Sequence, residues 1–212
     1  MLRALVIGIA ALLLSGCPFA GTTQLDLRPS TSPLPEPEPI NRPGDLVLEN
    51  TGFVFPERYG DFIRVAALRF DTAGLDLSVG YNYRTAGCLI AATVFVYPTP
   101  RMQFVGASSE VIESVQARWI SEEFTARVAE IRAHHPDITS ELTYEAHLPY
   151  RGTALTGPGF FFEARTNRSE MSLFVHDARW FIKPRFTYPA SCREQARGLI
   201  DSFLRKLPWA AA

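Results

Sequence analysis

No charge of either sign dominates this sequence, and no apolar run in it is long enough to cross a membrane. The formal net charge is −1, which argues against the strongly basic surface that binds nucleic acid or anionic lipid headgroups. The apolar run at residues 4–14 is shorter than the roughly 20 residues that a transmembrane helix needs. We therefore expect a globular domain with no nucleic-acid partner.

The sequence also lacks the short motifs of common enzymes. It contains no C-x-x-C pair, no H-E-x-x-H pattern, no G-x-S-x-G elbow, no P-loop lysine and no dinucleotide fingerprint. The sequence therefore lacks the usual signatures of redox enzymes, zinc peptidases, serine hydrolases and nucleotide-binding proteins. We predict no catalytic residue, no metal and no cofactor.

Histidine is present at four positions, and none has the spacing of a metal site. His134 and His135 come just before Pro136, where a positive charge favours the end of a helix. His147 and His176 lie in strand-like segments and could meet in space. A structural or solvated role is the simpler interpretation for all four.

The first residues have the layout of a secretory signal, with Arg3 followed by an apolar run and then small residues. Leu14-Ser15-Gly16-Cys17 resembles the lipobox of bacterial lipoproteins. The resemblance implies removal of residues 1–16 and attachment of lipid to Cys17, which would hold the protein at a membrane of the bacterial cell envelope, facing the periplasm or exterior. The alternative is an ordinary signal peptide with an unrelated cysteine.

A proline-rich stretch follows, with proline at positions 29, 33, 35, 37, 39 and 43. Its apolar residues do not recur at a helix or strand spacing, and its prolines favour the extended polyproline II conformation. We predict that residues 17–45 form a disordered tether between the lipid and the domain.

Residues 46–209 have the pattern of one domain, followed by a tail at 210–212. The chain order is three or more strands, one long helix, about four strands and a terminal helix. Short turns between consecutive strands favour antiparallel pairing. The fold class predicted is α+β, with a single antiparallel sheet flanked by a long central helix and a C-terminal helix.

Local signals refine this order. A turn at residues 71–74 separates two strands, and the nearly continuous apolar segment 88–98 indicates a central strand covered on both faces. Ser108 or Ser109 caps the long helix, which Pro136 stops. Residues 191–194 fit a capping box for the last helix, and the glycine-rich segment 151–160 suggests a flexible loop.

The arrangement of residues 46–209 resembles the PsbP-like fold, which is shared with DcrB-like bacterial lipoproteins. The phrases "DLSVGYN" (76–82) and "FTYP" (186–189) are also similar to segments of uncharacterised bacterial lipoproteins. The resemblance implies an antiparallel sheet flanked by helices, and it implies no activity and no functional residue.

With Cys17 assigned to lipid, Cys88 and Cys192 remain. An even pair in an oxidising compartment favours a disulfide, and the alternatives are two buried thiols or a redox site, for which the C-x-x-C signature is missing.

Aromatic residues are concentrated in the second half of the chain. In a strand, Phe160 and Phe162 point to one face and Phe161 to the other, with Trp180 following nearby. If helices cover only one face, Phe160, Phe162 and Trp180 are candidates for an exposed binding surface. Burial on both faces is the alternative.

Three functions are consistent with these observations. The first is a non-catalytic, membrane-tethered domain that binds an envelope protein or assists envelope assembly and maintenance. The second is a lipoprotein that binds a small molecule or lipid in a cavity between sheet and helix. The third is an envelope hydrolase with Ser or Asp clustered around His147 or His176.

Overall fold

The computed structural model describes residues 32–49, 51–101, 106–150 and 153–207. Within these ranges, the first group of strands is β1 (Pro33–Pro39), β2 (Leu46–Leu48), β3 (Phe53–Phe55), β4 (Arg58–Tyr59), β5 (Phe62–Asp71), β6 (Leu77–Thr85) and β7 (Cys88–Pro98). Helix α1 (Ser109–His134) follows. The second group is β8 (Ile138–Tyr150), β9 (Thr153–Ala164), β10 (Asn167–Ser172), β11 (Phe174–His176) and β12 (Trp180–Pro189), before helix α2 (Arg193–Arg205).

One antiparallel sheet contains most of the strands, in the order β1-β5-β6-β7-β12-β10-β9-β8. The short strands β4 and β11 pair with β5 and β12, and β2 and β3 form a separate hairpin. The predicted α+β class, with one sheet, a long central helix and a C-terminal helix, is confirmed.

Strand β7 lies at the middle of the sheet, between β6 and β12, as its apolar sequence predicts. Its even-numbered side chains Ile90, Ala92, Val94 and Val96 are buried in the main core. Its odd-numbered side chains from Ala91 to Tyr97 are half-buried and face the other side of the sheet.

The turn between β5 and β6 forms at the predicted residues. The Asp71 carboxylate accepts a hydrogen bond from the backbone N–H of Leu75 at 2.8 Å. Gly74 has φ of 67°, a conformation that glycine adopts without a Cβ penalty.

Helix α1 covers one face of the sheet. The Ser108 side chain caps it by accepting from the N–H of Val111. Trp119, Val128 and Ile131 are its buried residues, and they pack on aromatic and apolar side chains of β9, β10 and β12.

Helix α2 covers the opposite face. Its Phe203 ring lies 4.9 Å from that of Phe62, 5.5 Å from that of Tyr81 and 5.6 Å from that of Phe186, measured between centroids. Both faces of the sheet therefore carry a helix.

The capping box predicted for α2 is absent. Ser191 lies in a 3-10 turn (Ala190–Cys192), and Cys192 is the N-cap residue, without a side-chain capping bond. The turn moves the helix start by one residue, so the three-residue spacing from Ser191 to Glu194 no longer matches the first helical turn.

The segment 151–160, predicted to be a flexible loop, is largely strand, because β9 begins at Thr153. Its glycines allow close packing. A Cβ at Gly157 would lie 1.9 Å from the carbonyl oxygen of Leu173, and one at Gly159 would lie 2.4 Å from the Tyr144 ring. Glycine here indicates tight approach of neighbouring groups rather than a loop.

The predicted tether at residues 17–45 extends too far toward the carboxyl end, because Pro33–Pro39 forms an edge strand paired with β5. Ser32 accepts from the N–H of Thr72, and Ile40 donates to Ala67, so the even-numbered residues at both ends of β1 face β5. Pro33 and Pro39 lie next to these residues, at positions where the ladder needs no N–H, and the register is irregular between Pro33 and Glu38.

Candidate functional site

A cavity of about 650 Å³ lies between α1 and the sheet, and we call it the α1 cavity. The sheet contributes Phe70, Asp76, Phe95, Tyr97, Met171, Lys183 and Arg185. The helix end contributes Glu123, Arg127, Glu130, Ile131, His134 and His135. The cavity therefore has an apolar part and a charged part.

The strand register places two cations in this cavity. Lys183 is paired with Phe95 across β12 and β7, and Arg185 with Thr93. Positions two apart share a face, so Lys183 and Arg185 both point toward α1. The Lys183 Nζ lies 4.3 Å from the Phe95 ring centroid and 5.5 Å from that of Tyr97, within the range of cation–π attraction.

The acidic groups on α1 are held by other partners. The Tyr97 hydroxyl donates to Glu123 Oε1 at 2.8 Å. Arg127 lies between the two glutamates, with Nε 3.1 Å from Glu123 Oε1 and Nη1 2.5 Å from Glu130 Oε2. These contacts link α1 to β7 and place the Arg127 charge beside both glutamates of the cavity wall.

Burial changes the ionisation of the groups on the sheet. It lowers the pKa of Lys183 to about 8, and repulsion from Arg127 acts in the same direction. Burial also raises the pKa of Asp76 to about 6, with a further contribution from Asp71. Burial lowers the pKa of Arg185, and attraction to Glu130 offsets part of this effect by raising it.

The histidines at the end of α1 lie at the margin of this cavity. His134 Nδ1 is 2.8 Å from the Glu130 carbonyl oxygen, and the His135 ring packs 5.2 Å from that of Phe162. Within the described ranges, no group of three or more His, Cys, Asp and Glu side chains is placed to hold a metal ion.

A second cavity, of about 520 Å³, lies between α2 and β8–β10. Leu142, Phe161 and Leu204 form part of its apolar lining. Burial raises the pKa of Glu170 in this cavity, and Arg197 partly offsets the effect.

The candidate aromatic surface is not exposed, and the alternative interpretation, burial on both faces, describes these residues. Phe160 and Phe162 are 0% and 2% exposed beneath α1. Trp180 is 4% exposed and belongs to the main core on the opposite face. The reason is that helices cover both faces of the sheet, so neither face presents these rings to solvent.

Cys88 and Cys192 are joined in a disulfide, with their Cα atoms 5.7 Å apart. The bond links the first residue of β7 to the N-cap of α2. Cys17 lies outside the described residues.

The two histidines considered for hydrolysis lie apart. His147 is exposed on β8, with Nε2 3.3 Å from Glu145 and Nδ1 3.4 Å from Thr156. His176 is 5% exposed on β11, with Nε2 3.2 Å from Asp177. Strand β9 separates β8 from β10 and β11, so the fold does not assemble one site from both histidines.

The residues of the α1 cavity were missed by sequence reasoning. The available signal was the pair Lys183 and Arg185 at alternate positions of an otherwise aromatic and apolar strand. Such an alternation indicates one buried face and one face that carries cations. The positions of Glu123, Arg127 and Asp76 relative to that face depend on how α1 packs, which is a tertiary property.

Comparison of the sequence with protein-family models and with curated proteins finds no match. Neither helix of the described chain is long and apolar enough to cross a membrane.

Proposed function

We propose that this protein is a membrane-tethered, extracytoplasmic binding protein that holds a small organic ligand in the α1 cavity. The observation that carries the proposal is the cavity itself, which has about 650 Å³ of space. Ligand sites in proteins have volumes of roughly 300–1,000 Å³ and combine apolar walls with a few placed polar groups. Phe95, Met171 and Ile131 provide the apolar walls here, and Lys183 and Arg185 the polar groups.

The membrane attachment rests on the sequence around Cys17. Lipid on this cysteine would leave residues 18–32 between the anchor and β1. A fully extended chain of that length spans at most about 50 Å. The domain would then stay close to the bilayer, with the β1 edge of the sheet nearest the anchor.

The attachment is tested by acyl labelling and membrane fractionation of the Cys17→Ser variant in a bacterial host. Wild type is expected in the membrane fraction with acyl label, and the variant without label. An acyl-labelled, membrane-bound Cys17→Ser protein would show that Cys17 is not the anchor.

The ligand site is tested on the full chain purified in detergent, with benzoate, phenyl phosphate, benzylamine and benzyl alcohol as probes. At least one probe should bind in a calorimetric titration and raise the unfolding temperature. His134→Trp places a large ring at the exposed margin of the cavity and should abolish that binding. Ala133→Trp, at the adjacent exposed helix position outside the cavity lining, is the matched control.

Failure of all four probes to bind wild type would count against the proposal. Equal binding by wild type and His134→Trp would show that the ligand lies elsewhere. In that case the second cavity, beside α2, would be tested as the ligand site.

One observation favours protein binding as a second candidate function. Strand β8 is an edge of the sheet formed by the described residues, and it carries Leu142 with 61% of its surface exposed. A partner strand can pair with such an edge. Crosslinking in intact envelopes should then capture a protein with wild type but not with Leu142→Asp, and capture by both would argue against this surface.

A further inference from the structure

Lys183 and Arg185 are both half-buried cations on the face of β12 that lines the α1 cavity. Among the described residues, neither forms an ion pair with a carboxylate. The nearby glutamates Glu123 and Glu130 are bound to Arg127 instead. Asp76 also faces Lys183, without forming an ion pair with it. Placing a cation away from water without a carboxylate in direct contact costs free energy, which an arriving anion would offset.

The neighbours of Lys183 compensate its charge only in part. The Phe95 ring 4.3 Å away provides a cation–π contact, which contributes about 0.5–2 kcal/mol. Such a contact does not use the three N–H donors of the ammonium group in hydrogen bonds. Arg185 adds a planar guanidinium that can donate two parallel hydrogen bonds to one oxyanion.

We infer that the α1 cavity binds an organic oxyanion, a carboxylate or a phosphate, with its charged head between Lys183 and Arg185. The apolar body of the ligand packs against Phe95 and Met171 on the floor of the cavity. The inference rests on the proposed function and names the chemical class of its ligand.

Proton linkage supports this assignment. The charged groups that face Lys183 are Glu123, Arg127 and Glu130 from α1, Asp76 from the turn before β6 and Arg185 from its own strand. Burial and repulsion from Arg127 lower the pKa of Lys183 to about 8, so the protein alone disfavours the ammonium form relative to a solvated lysine. A bound anion favours the ammonium form, so its affinity should fall as the pH rises through 8.

Calorimetric titration of the full chain in detergent tests the inference, with phenyl phosphate and benzoate as anions and benzyl alcohol as the neutral probe. At pH 7 an anion should bind at least tenfold more tightly than benzyl alcohol. Lys183→Met and Arg185→Gln should each weaken that anion at least fivefold. A preference for phenyl phosphate identifies a phosphate site, and a preference for benzoate identifies a carboxylate site.

The chain offers matched controls, because it contains only two lysines, Lys183 and Lys206. Lys206→Met and Arg205→Gln remove exposed cations at the end of α2, far along the chain from the cavity lining, and should leave anion affinity unchanged. Lys183→Arg keeps the positive charge and should retain much more affinity than Lys183→Met.

A second measurement uses the wild-type protein and does not depend on the folding of a variant. Reductive methylation with ¹³C-formaldehyde keeps the charge of lysine and gives one NMR signal for each lysine. The Lys183 signal should titrate near pH 8, and a saturating anion should move that midpoint upward by about one pH unit, which corresponds to a tenfold difference in affinity between the two protonation states.

The outcomes separate the two proposals. Binding of benzyl alcohol or benzylamine that His134→Trp abolishes, without binding of either anion, would keep the cavity as a ligand site and overturn the oxyanion assignment. Anion binding that Lys206→Met weakens as much as Lys183→Met would also overturn it. An absence of binding by every probe would overturn both.

Discussion

The Tyr97 hydroxyl on β7 donates a 2.8 Å hydrogen bond to Glu123 on α1, and this bond fixes the helix over the sheet at the α1 cavity. Burial and the adjacent Glu123 charge raise the pKa of Tyr97 above its ordinary value. The phenol therefore stays protonated and remains a donor at neutral pH.

Tyr97→Phe keeps the ring and removes this donor. We expect a loss of about 1.5 kcal/mol in the free energy of unfolding, the size of a hydrogen bond to a charged acceptor. Urea denaturation followed by circular dichroism measures it. Tyr83→Phe is the control, because the Tyr83 hydroxyl accepts from Gln195 in an exposed bond and should contribute less. Equal losses in the two variants would contradict a special role for the Tyr97–Glu123 contact.

The Cys88–Cys192 bond closes a loop of 104 residues in sequence. Cross-linking a loop of about this length stabilises a fold by roughly 4–5 kcal/mol in the chain-entropy model. The double variant Cys88→Ala/Cys192→Ala should lose a large part of this amount in urea denaturation and should be insensitive to reductant. Thiol labelling of denatured, unreduced wild type should leave both cysteines unmodified, and modification of both would show that the bond does not form.

Tyr59 and Tyr81 lie side by side in the main core, with ring centroids 6.0 Å apart. The Tyr59 hydroxyl is buried and has no hydrogen-bond partner within the described part of the chain. The Tyr81 hydroxyl donates to the Pro56 carbonyl at 2.8 Å. An unpaired buried hydroxyl destabilises a fold, whereas a paired one contributes about 1 kcal/mol.

The same substitution should therefore have opposite effects at the two positions. Tyr59→Phe is expected to leave the free energy of unfolding unchanged or raise it by up to about 1 kcal/mol, and Tyr81→Phe to lower it by a similar amount. Paired urea denaturation curves measure both changes. A larger loss for Tyr59→Phe than for Tyr81→Phe would contradict the packing described for this cluster.

The raised pKa of Asp76 makes the free energy of unfolding depend on pH, and the direction of the shift sets the sign of this dependence. Burial, with help from Asp71, raises its pKa from 3.8 to about 6, so between these values the folded state binds more protons than the unfolded state. The contribution of Asp76 to stability therefore falls as the pH rises from about 4 to 6 and is constant above that range.

Asp76→Asn removes this ionisation and should stabilise the protein at pH 7 relative to wild type. The difference should disappear near pH 4. Urea denaturation at pH 4, 5, 6 and 7 measures it, with Asp61→Asn as a control at an exposed carboxylate. A difference that is the same at every pH would show that ionisation of Asp76 is not its cause.

Local signals in the sequence predicted much of the fold. The cap at Ser108, the turn at residues 71–74 and the apolar strand ending at Pro98 each depend on residues close in the chain. Such features follow from hydrogen bonding and backbone preference within a few residues. They also determined the order of strands and helices, from which antiparallel pairing follows.

Other features depend on residues that are distant in the sequence, and local patterns do not describe them. Gly157 and Gly159 indicate a loop when only the sequence is considered. In the structure they allow Leu173 and Tyr144 to approach the backbone closely. Whether Phe160 is exposed or buried depends on the position of α1 over it, which the sequence alone does not give. The α1 cavity itself forms between Lys183 and Glu123, 60 residues apart in the sequence, and no local pattern specifies that distance.

The prolines of β1 affect how copies of the protein would interact if lipid anchoring crowded them on a membrane. Lipid anchoring would confine many copies to two dimensions, where exposed sheet edges meet far more often than in solution. An edge strand that carries prolines at 33, 35, 37 and 39 lacks four of the N–H donors with which a neighbouring copy could extend the sheet. The β1 edge is thus protected against strand-by-strand polymerisation by its own amino-acid composition.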